Sequence, residues 1–160
     1  MLKLYKSINQ QFHYWETSND DDKTATIHWG IVGEHGSQKK ITGGLFSSFQ
    51  KKVQKEIVAK LNEGYAEFDE DKKTFLEVEY IIDGFGTDED LDKRHRLEDH
   101  LEELLGSTGL GHVDGGSIGS GTMEAGCRVV DFDIAKKVIA KNLKNTEFSD
   151  YSRIFKMGEV

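Results

Sequence analysis

Proline is absent from the 160 residues, and cysteine occurs once, as Cys127. One cysteine excludes an internal disulfide and a cysteine-built zinc site, and it suits a reducing, cytoplasmic location. With no proline, the usual marker of an inter-domain linker is missing. No apolar run approaches the roughly 18 residues of a transmembrane helix, so no membrane span is expected. The opening Met1-Leu2-Lys3-Leu4-Tyr5-Lys6 has no long apolar stretch behind it, so no secretory leader is expected either. Positive charge is in deficit: 21 Lys and Arg face 29 Asp and Glu, for a net −8. A general nucleic-acid binder draws its affinity from basic groups that neutralise phosphates, so nucleic-acid binding should be weak or absent. What is present is 36% hydrophobic and 31% charged, enough for a core under a solvated surface. The length suits one ordinary domain or two small ones.

The deficit is not spread evenly. Residues 1–68 carry nine basic and eight acidic side chains, whereas residues 69–160 carry twelve and twenty-one. The break falls at Asp69-Glu70-Asp71-Lys72-Lys73, which places a boundary between a domain at 1–68 and another at 74–160. In the first, residues 13–17 and 24–29 are rich in aromatic and β-branched side chains and read as strands. Ser18-Asn19-Asp20-Asp21-Asp22 reads as the turn between them. Ala25, Ile27 and Trp29 share one strand face. A helix fits residues 46–62, with Phe49, Val53, Ile57 and Leu61 as its apolar stripe, Ser47 or Ser48 as cap and Gly64 as terminator.

In the second, residues 75–82 alternate as a strand with Leu76, Val78, Tyr80 and Ile82 on one face. Residues 91–105 read as a helix with Leu97, Leu101, Leu104 and Leu105 on its stripe, closed by Gly106. A glycine-rich segment at 109–121 leads to a strand at 122–132. A helix capped by Asp133 and running to residue 145 follows, and then a last strand at 151–157. The expected class is therefore α+β: an antiparallel sheet with one packed helix, then a β-α-β-β-α-β ferredoxin-like domain.

The segment Trp29-Gly30-Ile31-Val32-Gly33-Glu34-His35-Gly36 resembles the core of the WGR domain. Tyr14-Trp15-Glu16 one hairpin earlier, Gln38-Lys39-Lys40-Ile41 after the turn, and the Lys-rich helix running to Gly64-Tyr65 extend the resemblance over about 65 residues. The resemblance implies the fold of a module that occurs in DNA-dependent poly(ADP-ribose) polymerases and in many small bacterial proteins. In the polymerases it binds DNA ends and relays signals between domains. The family's arginine is Ile31 here, which removes five fixed donors and a permanent charge. No polymerase catalytic region is expected among the 160 residues. The second half is similar to ferredoxin-like domains of small uncharacterised bacterial proteins, through Arg94-His95-Arg96-Leu97-Glu98-Asp99 and Val113-Asp114-Gly115-Gly116.

Candidate binding residues follow from both readings. Trp29 could stack on a planar ligand or fill the core beside Ile27, and the core is the expectation. Lys39, Lys40, Lys51 and Lys55, with Lys52, form a basic patch or simply a solvated face. Gly30, Gly33 and Gly36 read as a turn needing positive dihedrals. The 109–121 segment has no phosphate-loop or dinucleotide motif and precedes a strand, so a bent or bulged hairpin is expected. The histidines lack metal-ligand spacing: His95 and His100 stand five apart on the expected helix, and His95 reaches Asp99 instead. There is no EF-hand spacing. No catalytic, cofactor-binding or metal-binding set is expected. The expected function is a non-enzymatic binding or adaptor protein with a protein partner. The alternatives are an acidic, immunity-type neutraliser of a basic partner, or a small enzyme using the 109–121 loop near His95 and Asp114.

Overall fold

The computed structural model describes residues 1–44 and 48–158. Phe46 and Ser47, the expected helix start and one of its two candidate caps, lie outside the described residues. The chain divides into two compact units, Met1–Asp69 and Glu70–Val160, each with a four-stranded antiparallel sheet. The class is α+β.

In the first unit, β1 (Leu2–Ile8), β2 (Gln11–Asn19), β3 (Thr24–Ile31) and β4 (Ser37–Thr42) pair in chain order. The β2–β3 turn forms because the Asp21 carboxylate accepts from the backbone N–H of Lys23 at 2.7 Å and of Thr24 at 2.8 Å. Helix α1 (Phe49–Asn62) is capped by Ser48, whose hydroxyl accepts from the Lys51 N–H. Its end is a left-handed cap: Gly64 has φ +90°, Gly64 N–H donates to Leu61 and Tyr65 N–H to Lys60, each at 3.0 Å. Helix α1 packs on β3 and β4, with Phe49 and Val53 against Ala25, and with Ile57 and Tyr65 against Leu4, Trp15 and Ile27. The stripe does not stay buried to its end, since Leu61 is 49% exposed.

Strand β1 was not among the expected elements. Its outer edge is closed by Ala66, which exchanges backbone hydrogen bonds with Tyr5 at 2.7 and 3.0 Å. Past that bridge, the Phe68 ring sits edge-on to both Tyr5 and Phe12. The segment after α1 thus wraps the β1 edge, with Tyr65 on the helix side and Phe68 on the other.

In the second unit, β5 (Thr74–Ile81), α2 (Asp88–Ser107), β6 (Gly111–Gly119), β7 (Thr122–Val129), α3 (Phe132–Leu143) and β8 (Arg153–Lys156) follow in turn, and the sheet order is β6-β7-β5-β8. Leu76, Val78 and Tyr80 lie in register with Cys127, Ala125 and Met123, and all six are buried on one face. Helices α2 and α3 pack on the sheet, presenting Leu97, Leu101 and Leu105, and Ala135, Ile139 and Leu143. Thr87 and Asp90 close a reciprocal capping box on α2. The expected ends shift at two places. Gly106 is inside α2, which continues to Ser107, because Thr108 caps it by donating its hydroxyl to the Leu104 carbonyl at 2.6 Å. Asp131, not Asp133, caps α3, its carboxylate accepting from the Ile134 N–H at 2.9 Å. The glycine-rich segment is the edge strand β6, with a register shift between Val113 and Gly115. Among the described residues no helix is long and apolar enough to cross a membrane.

The first unit's dependence on residues 65–68 can be tested by truncation. A fragment ending at Asp69 is expected to unfold in a single cooperative transition by circular dichroism. A fragment ending at Gly64, which lacks the Ala66 bridge and the Phe68 ring, is expected to melt several degrees lower. Equal melting of the two would remove the role given to that segment.

Candidate functional site

Trp29 is not in the core. It shares a face with Ala25 and Ile27, as its spacing requires, yet it is 37% exposed. Its opposite number on β2, Trp15, is 2% exposed and fills the position expected for Trp29. Alternation fixes the face of a strand residue, whereas depth depends on how far the helix reaches over it. Near the C-terminal end of α1 the cover is incomplete, and a recess of about 180 Å³ opens there, lined by Trp15, Trp29, Lys39, Glu56, Lys60 and Tyr65. The Lys39 ammonium stands 6.0 Å from the Trp29 ring centre and pairs with Glu56 at 3.0 Å. The Lys60 ammonium stands 5.2 Å from the Tyr65 ring centre and pairs with Glu63 at 2.7 Å. The recess is therefore aromatic in floor and walls, with two cations at its rim.

Of the candidate lysines, only Lys39 joins Trp29. Lys40 meets Asp20 at 3.8 Å, Lys52 donates to the Thr42 carbonyl, and Lys51 and Lys55 are exposed on α1. Lys60, Tyr65 and Glu56 were not singled out beforehand. The signal for them was their spacing on and just after the helix, usable only once α1 is known to cross β3 and β4.

On the opposite face of the same sheet, Tyr14, His28 and Glu16 form a chain. The Tyr14 hydroxyl lies 3.0 Å from His28 Nε2, and His28 Nδ1 lies 2.7 Å from Glu16 Oε1. Lys3 closes the chain on the other Glu16 oxygen at 3.0 Å. Burial, then the Glu16 charge, raises the Tyr14 phenol well above its ordinary range, while the Gly36 N–H pulls the other way. Tyr14 is buried, so this chain braces the sheet. Of the three motif glycines only Gly33 has a positive φ. Gly36 has another reason to be glycine: a Cβ there would stand 2.1 Å from the Tyr14 hydroxyl and 2.5 Å from the Trp29 carbonyl.

In the second unit the remaining candidates separate. Asp114 pairs with Arg128 at 2.8 Å, and His95 meets Arg94 at 3.2 Å, so the two groups the enzyme reading needed together have different partners. His100 bonds Asn142. Among the described residues no group of three or more His, Cys, Asp or Glu is disposed to hold a metal ion. Cys127 is fully buried, and burial, followed by the charges of Glu102, Glu98 and Asp114, pushes its thiol up to about 12. Gly116 faces a crowded site: a Cβ there would stand 2.3 Å from the Glu124 carbonyl and 2.5 Å from a Glu98 carboxylate oxygen.

The sheet face away from α2 and α3 carries Glu77, Glu79 and Glu124, bordering a shallow recess of about 420 Å³. Glu79 is buried and receives both arms of Arg153, at 3.0 and 2.8 Å, with Ser152 at 2.7 Å, and these hold its carboxyl below the ordinary range. Glu124 accepts from the Ser117 hydroxyl. The Glu77 carboxylate has no hydrogen-bonding partner among the described residues. Desolvation, then the charges of Glu124 and Glu79, raises its carboxyl above the ordinary 4.5 despite the opposing Arg153.

Two outcomes follow. Gly36→Ala overpacks against the Tyr14 hydroxyl and a backbone carbonyl and should cost about 1–3 kcal/mol or more by chemical denaturation. Glu77 has a raised folded pKa, so its contribution to stability is present at low pH and lost as pH rises through that value. Glu77→Gln should therefore raise the melting temperature at neutral pH, with the gain vanishing below the ordinary value of 4.5. A gain that persists at low pH would mean that packing, not charge, is responsible. No family model, curated protein or solved structure gives a significant match to this chain.

Proposed function

We propose that this chain is a non-enzymatic binding protein, a WGR-type module followed by a ferredoxin-like one, whose first module captures a protein partner through the Trp29 recess. The observation that carries this reading is the exposure of Trp29 on a face whose other strand residues, Ala25 and Ile27, are fully buried. Exposed tryptophan on a rigid strand beside buried aromatics is the composition of an interface hot spot, where a few aromatic and arginine anchors supply most of the binding energy. Size supports a protein partner over a small molecule. At about 180 Å³ the recess lies below the roughly 300–1,000 Å³ of small-molecule sites and suits a single inserted side chain.

Topology supports the module names. The first sheet is antiparallel in chain order with one helix on one face, and the Trp29-Gly30 pair sits at the end of its third strand. The second has the β-α-β-β-α-β element order and the interleaved strand order 2-3-1-4 of a split βαβ sandwich. An enzyme built on residues 109–121 has less behind it, because that segment is a paired strand.

The test is a pull-down from the native host with wild-type and Trp29→Ala protein, followed by acrylamide quenching of Trp29 with the captured partner. Trp29→Ala should lose the partner while costing about 1 kcal/mol of stability, against about 3–5 kcal/mol for Trp15→Ala. Retention of the partner by Trp29→Ala would sink the reading. DNA ends should bind more weakly than the roughly 10⁻⁴–10⁻⁶ M of proteins equipped for non-specific binding, by fluorescence anisotropy at physiological salt. Sub-micromolar, salt-sensitive binding would make nucleic acid the partner instead.

A further inference from the structure

Among the described residues, the second unit leaves one face of its sheet without a helix, and that face has two unlike ends. Along β5 the alternation that buries Leu76, Val78 and Tyr80 turns Glu77, Glu79 and Ile81 to the other side. Glu124 of β7 lies directly opposite Glu79, and Ser117 of β6 opposite Glu124. Three carboxylates therefore meet one guanidinium, that of Arg153, and Glu79 already takes both of its arms.

One register step on, the surface turns apolar. Ile81 is 70% exposed and Phe85 is 84% exposed. The backbone beside them is tied down, because the Ile82 N–H donates to the Gly121 carbonyl at 3.0 Å and the Gly121 N–H to the Gly84 carbonyl at 2.7 Å. Gly119 lies in register with Thr122, and Thr122 with Ile81. The Phe85 ring stands 3.6 Å from where a side chain on Gly119 would begin, so Phe85 flanks the same recess. An exposed isoleucine and phenylalanine on a hydrogen-bonded platform contribute nothing to this fold's core, and fixed apolar groups beside a charged rim are the anatomy of a protein interface.

We propose that this face is the docking surface for a basic amphipathic polypeptide segment, with a lysine or arginine entering between Glu77, Glu79 and Glu124 and an apolar side chain resting on Ile81 and Phe85. Charge selects the occupant. The residues from 69 onward carry a formal −9, which repels nucleic acid and anionic membranes and attracts a polycation. Glu77 is the group the partner serves: its carboxylate alone of the three has no hydrogen-bonding partner among the described residues, whereas Glu79 and Glu124 each have one or more. The surface is separate from the Trp29 recess, so failure of either proposal leaves the other standing.

The experiment uses the full chain and a short fluorescein-labelled peptide alternating arginine and leucine, read by anisotropy. The same peptide with glutamate for arginine, and another with glycine for leucine, are the controls. Wild-type protein should bind the arginine–leucine peptide and neither control. Glu77→Gln and Phe85→Ser should each weaken binding by about tenfold, a loss of about 1.4 kcal/mol. Glu103→Gln, on the exposed side of α2, makes the same change in net charge and should leave binding within about twofold. The diagnostic result is that Glu77→Gln binds worse while melting higher, which loss of structure cannot produce. Equal weakening by Glu77→Gln and Glu103→Gln would reduce the effect to bulk charge and overturn the proposal, as would no binding by wild type. A melting shift with calcium or magnesium chloride that Glu77→Gln abolishes would make this a cation site, and self-association that Phe85→Ser abolishes would make a second copy the occupant. Either would also overturn it.

Discussion

Among the described residues each sheet has helices on one face only, and most other features follow from what the chain does about the second face. A strand alternates its side chains, so a sheet covered on one side must give the uncovered side groups that tolerate water or a second cover. In the first unit the chain supplies that cover itself. The turn at Gly36 folds down over Tyr14, and the tail at Phe68 folds over Tyr5 and Phe12. In the second unit the face receives carboxylates, Arg153 and the hydrogen-bonded hydroxyl of Ser117.

Glycine is the means by which both units manage close contacts, and its usefulness here owes more to size than to dihedral freedom. At Gly36 the missing side chain lets the backbone approach the Tyr14–His28–Glu16 chain, which links β2 to β3 through polar side chains on the face opposite the Trp15 and Ile27 core. At Gly116 it lets Arg94 and Glu98 of α2, themselves paired at 3.1 Å, lie against the β6 backbone. The long edge strand is thereby roofed by an ion pair and broken by a bulge. Both features oppose pairing with another chain along an otherwise exposed edge.

Much of this was legible in the residues because it is local. The alternation in 75–82 and the four-residue spacing in Phe49, Val53 and Ile57 are set within one element, and the buried faces follow them. What was not legible depends on partners far along the chain. Leu2–Ile8 is short and interrupted by Lys3 and Lys6, and its outer edge is completed by Ala66. The position of Trp29 outside the core rests on where α1 stops covering the sheet, and no residue near position 29 encodes that. Lys39 reaches the Trp29 ring and Lys40 does not, because successive strand residues face opposite sides, a fact usable only once residues 37–42 are known to be a strand. Glu77 read as one carboxylate among many until β7 brought Glu124, and β8 brought Arg153, into register with β5.

The places where a partner could gain most are those where each unit stops covering itself. Beside Trp15 and Trp29 the end of α1 leaves a recess and Leu61 half exposed, and the helix cannot simply run on to fill the gap because Gly64 turns the chain toward the β1 edge. At the end of β5, on the sheet face that carries no helix among the described residues, Ile81 and then Phe85 stand exposed. In both places a rigid backbone holds large side chains whose burial is incomplete, so a partner gains apolar area without ordering the surface it lands on. Glu77 adds a cost of the same kind in electrostatic form: desolvation and the charges of Glu124 and Glu79 raise its carboxyl, and Arg153 opposes them only in part. The basic segment proposed above would bring a further cation to that carboxylate, so charge and apolar area would be gained at one place.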